Sequence, residues 1–400
     1  MNIETKKLAL LIGTLALVVF AITFQLNSAP SIRIQADLFS RWYATRQLIQ
    51  TGRNLYDVQN MQEAAGYKAI PTSPLETGFF YPAHLTAFLT PLAILPYPIA
   101  HLIWTLIGQL FYLIGLWVVM SQVQWPETIG QKTLIIFTAL FFIPFIQHTI
   151  WSQFDTIAVF GLGMMIVSLN KERYFSAGLW ASLFTFKPQD GLPVLIFSMI
   201  WGLFKIKRWR FIFGFILAGL GLWAFAQALQ PGWLVDFIQA LASYRELPYK
   251  LSTFPAEMGA IGYFLEVGLV AWFFYLVFYF RNESNNSAGI NLTMLLGIFL
   301  FWISFPIIGM MHLVLLPSVA VLLMASLKKL NSKLYRFTII VLSIFYLVGY
   351  AGFIVGLLTP ETQGDHIYFA ELVYKWSTPV LGIIVSSLAS VGYVISRRIA

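Results

Sequence analysis

The chain of 400 residues has no cysteine and very little charge. Without thiols it can form neither disulfides nor thiolate metal sites, and nothing about its compartment follows from that. Asp, Glu, Lys and Arg together make up only 10% of the residues, far less than a soluble domain of this length carries. The chain also lacks C-x-x-C, H-E-x-x-H and G-x-x-x-x-G-K-[ST] patterns, so the common redox, zinc-hydrolase and nucleotide-loop signatures are excluded.

What the chain does have is apolar length. Hydrophobic residues account for 58% of it, and the mean hydropathy is +0.76. They fall in runs of about 17–25 residues, the length a helix needs to cross the hydrocarbon core, whereas barrel strands would be shorter and alternating. The expected fold is therefore an all-α polytopic membrane protein. Periodicity and breakers predict about twelve transmembrane helices, at roughly 8–26, 98–120, 133–150, 155–169, 174–187, 190–204, 211–229, 257–280, 292–309, 313–327, 337–358 and 373–395. The first run follows Lys6 and Lys7 and reads as an uncleaved helix.

The net charge of +8 points to membrane orientation rather than to nucleic acid. Short loops such as Lys205-Ile-Lys207-Arg208-Trp-Arg210 and the cluster from Lys328 to Arg336 carry most of the bases. The positive-inside rule assigns these loops, and both termini, to the cytoplasm. That assignment requires the proline-broken stretch 80–95 to dip into the membrane rather than span it. The histidines and most carboxylates then fall at the opposite, extracytoplasmic face.

Four segments on that face could carry chemistry. The first outer loop, residues 27–97, opens with a helical stretch in which Asp37 and Arg41 share a face four residues apart. They read as a surface ion pair, or as a carboxylate able to accept a proton from an attacking hydroxyl. Gln153 and Asp155 lie in a polar knot between two spans, and Lys187-Pro188-Gln189-Asp190 forms another. A lysine at the outer end of a span needs a partner. Lys187 could pair with Asp155 or Asp190, snorkel to the interface, or meet a phosphate. His312 joins two later spans and is the available proton handler there.

Taken in order, Asp37, Tyr43, Gly52-Arg53-Asn-Leu-Tyr56-Asp57, Tyr81-Pro82, Gln153-x-Asp155, Lys187-x-Gln189 and His312 resemble glycosyltransferase family 87. The resemblance implies a GT-C fold: a core module at 1–230 and a C-terminal transmembrane module at 231–400. It also implies a polyprenyl-phosphate-sugar-dependent transferase of the α-1,2-mannosyltransferase kind in the cell membrane, acting on a lipid or glycan acceptor at the extracytoplasmic face. Membrane lipids would be its surroundings; no nucleic acid, cofactor or metal is expected. Asp37 and His312 would be catalytic. Lys187, Arg41, Arg53, Tyr81, Gln153, Asp155 and Gln189 would bind substrate, with the cations serving the phosphate. A transporter or flippase of a lipid-linked sugar is the alternative, although no internal repeat supports it. A membrane scaffold is a weaker one.

Overall fold

The computed structural model describes residues 34, 36–68, 73–244, 253–285, 287–304, 310–358 and 373–399. The first expected span, 8–26, lies outside the described residues, as do the side chains of Gln189 and Asp190. Among the described residues the protein is helical throughout, with no strand.

The outer-loop region contributes α1 (Asp37–Thr51), α2 (Val58–Tyr67) and α3 (Thr86–Ala93). Gly52 ends α1 in the left-handed conformation, donating its N–H to Leu48, and Asp57 caps α2 through Gln59 N. A 3₁₀ turn at Ala83–Leu85 leads into α3. The two together rise about 18 Å, well short of the ~30 Å of the hydrocarbon core, so this stretch is too short to cross alone.

The bundle then follows as α4 (Tyr97–Val123), α5 (Ile129–Leu140), α6 (Ile143–Trp151), α7 (Thr156–Asn170), α8 (Tyr174–Ala181), α9 (Pro188–Leu203), α10 (Trp209–Leu229), α11 (Trp233–Tyr244), α12 (Gly259–Tyr279), α13 (Ala288–Ser304), α14 (Leu316–Leu330), α15 (Ser332–Leu358) and α16 (Thr378–Ile399). Each span expected within the described residues meets a helix, but among those residues six segments are long and apolar enough to cross a membrane. A seventh counts if α5 and α6, bent by 52°, form one span.

The others fall short for a local reason. α7 begins after Asp155, α9 begins after Lys187, and a 3₁₀ turn at Ser182–Thr185 ends α8. Pro188 holds Lys187 in an extended conformation (φ −137°, ψ 85°), as a residue before proline prefers. The polar residues of the candidate site thus sit where these helices start.

Lipid-facing and interior helices are distinguishable. Only 11% of the apolar window of 206–229 is buried, against 72% of that of 312–330. Side chains such as Phe264 and Leu347 stay exposed, which water would penalise and acyl chains accept. The bases of the short loops are tied together at one end. Lys205 donates to Asn282 O, Arg208 to Arg281 O and Glu283 O, Arg397 pairs with Glu283, and Lys328 pairs with Glu127.

Glycines set the tightest crossings. A Cβ at Gly115 would lie 2.5 Å from Val159 O, and one at Gly163 would lie 2.9 Å from Gly115 O, so α4 and α7 touch backbone to backbone. Helices α8 and α10 repeat the device: a Cβ at Gly178 would lie 2.0 Å from Phe211 O, and one at Gly214 would lie 2.1 Å from Phe175 O. Between lipid-embedded helices such close packing replaces the missing hydrophobic drive. Gly178→Leu is therefore expected to destabilise the fold by at least the ~1–3 kcal/mol typical of overpacking. Gly219→Leu, on the open side of α10 where nothing lies within 4 Å, should be near neutral. Thermal unfolding of both variants in detergent checks this; equal behaviour would contradict the crossing.

Candidate active site

The site is built on the turn between α6 and α7. Ser152 adopts a left-handed conformation (φ 49°, ψ 52°), which costs a residue with a Cβ and persists only where the surroundings enforce it. Helix α4 supplies the enforcement. His101 Nε2 lies 2.7 Å from Ser152 Oγ, and Trp104 Nε1 donates to Gln153 O at 3.2 Å. All four residues are buried. The turn therefore presents the Gln153 and Asp155 side chains in fixed directions.

Asp155 is 2% exposed and sits at the centre of a buried polar cluster. Lys187 Nζ donates to both its oxygens, at 2.8 and 2.7 Å. His312 Nδ1 lies 3.0 Å from its Oδ1 and 2.8 Å from Lys187 Nζ, so this nitrogen can donate to the carboxylate or accept from the ammonium. His148 Nε2 approaches Oδ2 at 3.6 Å. Lys187 Nζ also donates to Gln153 Oε1 at 3.0 Å. Asp155, Gln153 and His312 surround the ammonium, which has three hydrogens to give. Of the readings open from the sequence, the ion pair with Asp155 is the one observed. Lys187 is not a solvated helix-end cation, because its side chain is 1% exposed.

Gln153 links this cluster to the outer-loop region. Its Nε2 donates to Asp37 Oδ2, and its Oε1 accepts from Lys187 and, at 3.3 Å, from Tyr81 Oη. Burial pushes the Tyr81 phenol up to about 12, so it remains a donor at neutral pH. Tyr56 Oη donates to Tyr81 O at 2.9 Å and fixes that residue's backbone. Asp37 opens α1, where the helix dipole favours a carboxylate. Its side chain is 24% exposed, the most open of the cluster's carboxylates, and Arg41 Nη1 lies 3.8 Å from Oδ1. Arg41 is buried against the Tyr81 ring, 5.4 Å from its centroid, and its Nε has no partner among the described residues.

The structure thus brings together Asp37, Arg41, Tyr81, Gln153, Asp155, Lys187 and His312. It does not bring Arg53 to them. That guanidinium bonds Glu63 Oε2 at 2.7 Å and Asn60 Oδ1 at 3.1 Å, and Tyr43 Oη shares the same carboxylate oxygen at 2.5 Å. Arg53 therefore ties the turn after α1 to α2. Gln189 lies in the first turn of α9, and its side chain lies outside the described residues.

Sequence reasoning missed four contributors. His148, His101 and Trp104 are buried supports. Lys68 is coupled electrostatically to both Asp37 and Arg41; burial lowers its pKa, with Asp37 opposing that shift and Arg41 adding to it. Lys68 left a signal as a base on the carboxylate-rich side of the chain, and His101 and His148 as histidines at that face; Trp104 left none. No set of three or more His, Asp or Glu among the described residues is arranged to hold a metal.

The model of glycosyltransferase family 87 matches residues 79–348, two thirds of the chain. The matched stretch includes Tyr81, Gln153, Asp155, Lys187 and His312; Asp37 and Arg41 precede it. No curated protein and no solved structure matches the chain.

Removing one partner of a buried pair strands the other charge. Asp155→Asn or Lys187→Met alone should each cost roughly 3–5 kcal/mol of stability. The double variant should recover most of that loss, because neither charge is then left alone. Denaturant unfolding of the three variants in micelles measures the coupling; strictly additive losses would show that the two do not act as a pair.

Proposed function

Because the chain belongs to glycosyltransferase family 87, we propose that this membrane glycosyltransferase moves a hexose, such as mannose, from a polyprenyl-phosphate donor to a hydroxyl of a lipid or glycan acceptor. The reaction runs at the extracytoplasmic face of the cell membrane. The observation that carries this reading is the setting of Asp37. One carboxylate oxygen is held by Gln153, the other lies 3.8 Å from Arg41 Nη1, beyond hydrogen-bond distance, and a buried cluster fixes the geometry behind it.

In this mechanism Asp37 Oδ1 accepts the proton of the acceptor hydroxyl. The freed oxygen pair attacks the anomeric carbon, whose bond to the phosphate oxygen breaks. The leaving polyprenyl phosphate takes that electron pair, and direct displacement inverts the carbon. Arg41, whose Nη1 lies 3.8 Å from Asp37 Oδ1, is the cation suited to the phosphate as its charge grows. Lys187 is unsuited to that task while Asp155, Gln153 and His312 engage it, so its part is to hold Gln153 and Asp155. His312 uses Nδ1 within the cluster, and its Nε2 is the atom left to orient the acceptor.

Asp37→Asn keeps the shape and the bond to Gln153 but cannot take a proton. Transfer by the purified variant should fall by roughly 10²–10⁴-fold, with donor binding intact. A purely structural Asp37–Arg41 pair would give a loss of a few-fold, mirrored by Arg41→Gln. An Asp37→Asn protein that binds donor and turns over within a few-fold of the parent would sink the mechanism.

A further inference from the structure

A second polar cavity lies at the far end of the same two helices that build the candidate site. Helix α4 runs from Trp104, against the Gln153 turn, to Gln122, and α7 runs from beside Asp155 to Asn170. At 1.5 Å per residue the ends are about 22–27 Å apart. The cavity is enclosed by the ends of α4, α7, α13 and α14 with part of α9, and its volume is about 140 Å³. That is below the ~300–1,000 Å³ of sites for drug-sized ligands, so the occupant is small.

The lining is chemically specific. Gln122, Asn170, Asn285 and Asn291 face the cavity with Ser198 and Lys329. The carboxamides are only partly spent on the protein: Asn170 Nδ2 donates to Gln122 Oε1, and Asn285 Nδ2 donates to Leu169 O and Tyr174 Oη. Gln122 Nε2, Asn170 Oδ1, Asn285 Oδ1 and the whole Asn291 amide make no bond to a described residue, which leaves donors and acceptors side by side. A hydroxyl both donates and accepts, so this mixture suits a polyol.

Two further features point to a ligand. Trp201 lines the wall and is 2% exposed, yet its Nε1 has no partner among the described residues. Buried indole N–H groups normally find an acceptor. Charge supplies the other feature. Arg208 stacks on the Trp201 ring at 3.9 Å and gives Nη1 and Nη2 to the carbonyls of Arg281 and Glu283, and Lys205 donates to Asn282 O. Lys329 is exposed at the cavity with no protein partner among the described residues. A wider hollow of about 600 Å³ adjoins it through Asn170 and Asn285 and contributes Lys207.

We propose that this cavity binds a small polyol bearing one phosphate, with the hydroxyls on the carboxamides and Trp201 Nε1, and the phosphate on Lys329. Basic pockets between transmembrane helices suit such headgroups. The same chemistry is offered by a phosphoglycerol lipid and by free glycerol phosphate. The inference does not depend on sugar transfer.

The test uses the full-length protein and Lys329→Gln and Asn291→Leu variants, both altered at side chains with no protein bond. Glycerol 1-phosphate is titrated calorimetrically in detergent. Lipid retention is read by native mass spectrometry from nanodiscs of mixed phosphatidylglycerol and phosphatidylcholine. Binding of either probe that weakens roughly ten-fold or more in the Lys329→Gln variant, the scale of one lost charge-assisted hydrogen bond, supports the site. The arm that responds identifies the source as lipid or soluble. Absence of binding in both arms, or binding that both variants leave unchanged, overturns it.

Discussion

An ammonium group cannot be buried alone, and Lys187 is buried. Its neutralisation by Asp155 is the constraint on which the rest of the site depends. The pair requires the turn after α6 and the start of α9 to converge at one depth in the bundle. Gln153 and His312 complete the set of partners around the ammonium. Gln153 then has one amide nitrogen left to give, and it gives it to Asp37. A charge balanced inside the bundle thus fixes the orientation of a carboxylate at its edge.

The fold accommodates this constraint by giving up helix length. Helices α7, α8 and α9 start or stop at the cluster, so none of them alone reaches the ~20 residues of a full crossing. Non-helical backbone at such depth is tolerable where it is enclosed by protein, and here α4 provides the enclosure through His101 and Trp104. The crossings at Gly115–Gly163 and Gly178–Gly214 bring the interrupted helices close enough to make up in contact what they lose in length.

Much of this was legible in the sequence. Apolar runs disclose spans because lipid demands them, and Lys187 stood out because it defied the charge bias, so its need for a partner could be read, although a carboxylate, the interface and a phosphate all remained open. Asp155 was one of two acids in reach. Pro188 and the left-handed Gly52 mark breaks by local chemistry alone. The rest depends on tertiary contact. Nothing near Arg53 in the sequence says that Glu63, on the facing helix, pairs with it. His101 and Trp104 look like ordinary members of an apolar helix until the turn they hold is seen. The 3₁₀ break at Ser182–Thr185 has no hydropathy signature, which is why a continuous span was expected there.

The central claim is that Gln153 acts on the reaction through Asp37, and a double-mutant cycle on turnover tests it most directly. Gln153→Leu should lower the transfer rate in the parent protein and have almost no further effect in an Asp37→Asn background, because residues acting as a unit are non-additive. If Gln153→Leu lowers turnover by the same factor in both backgrounds, the two side chains act separately, and the account built on their hydrogen bond is contradicted.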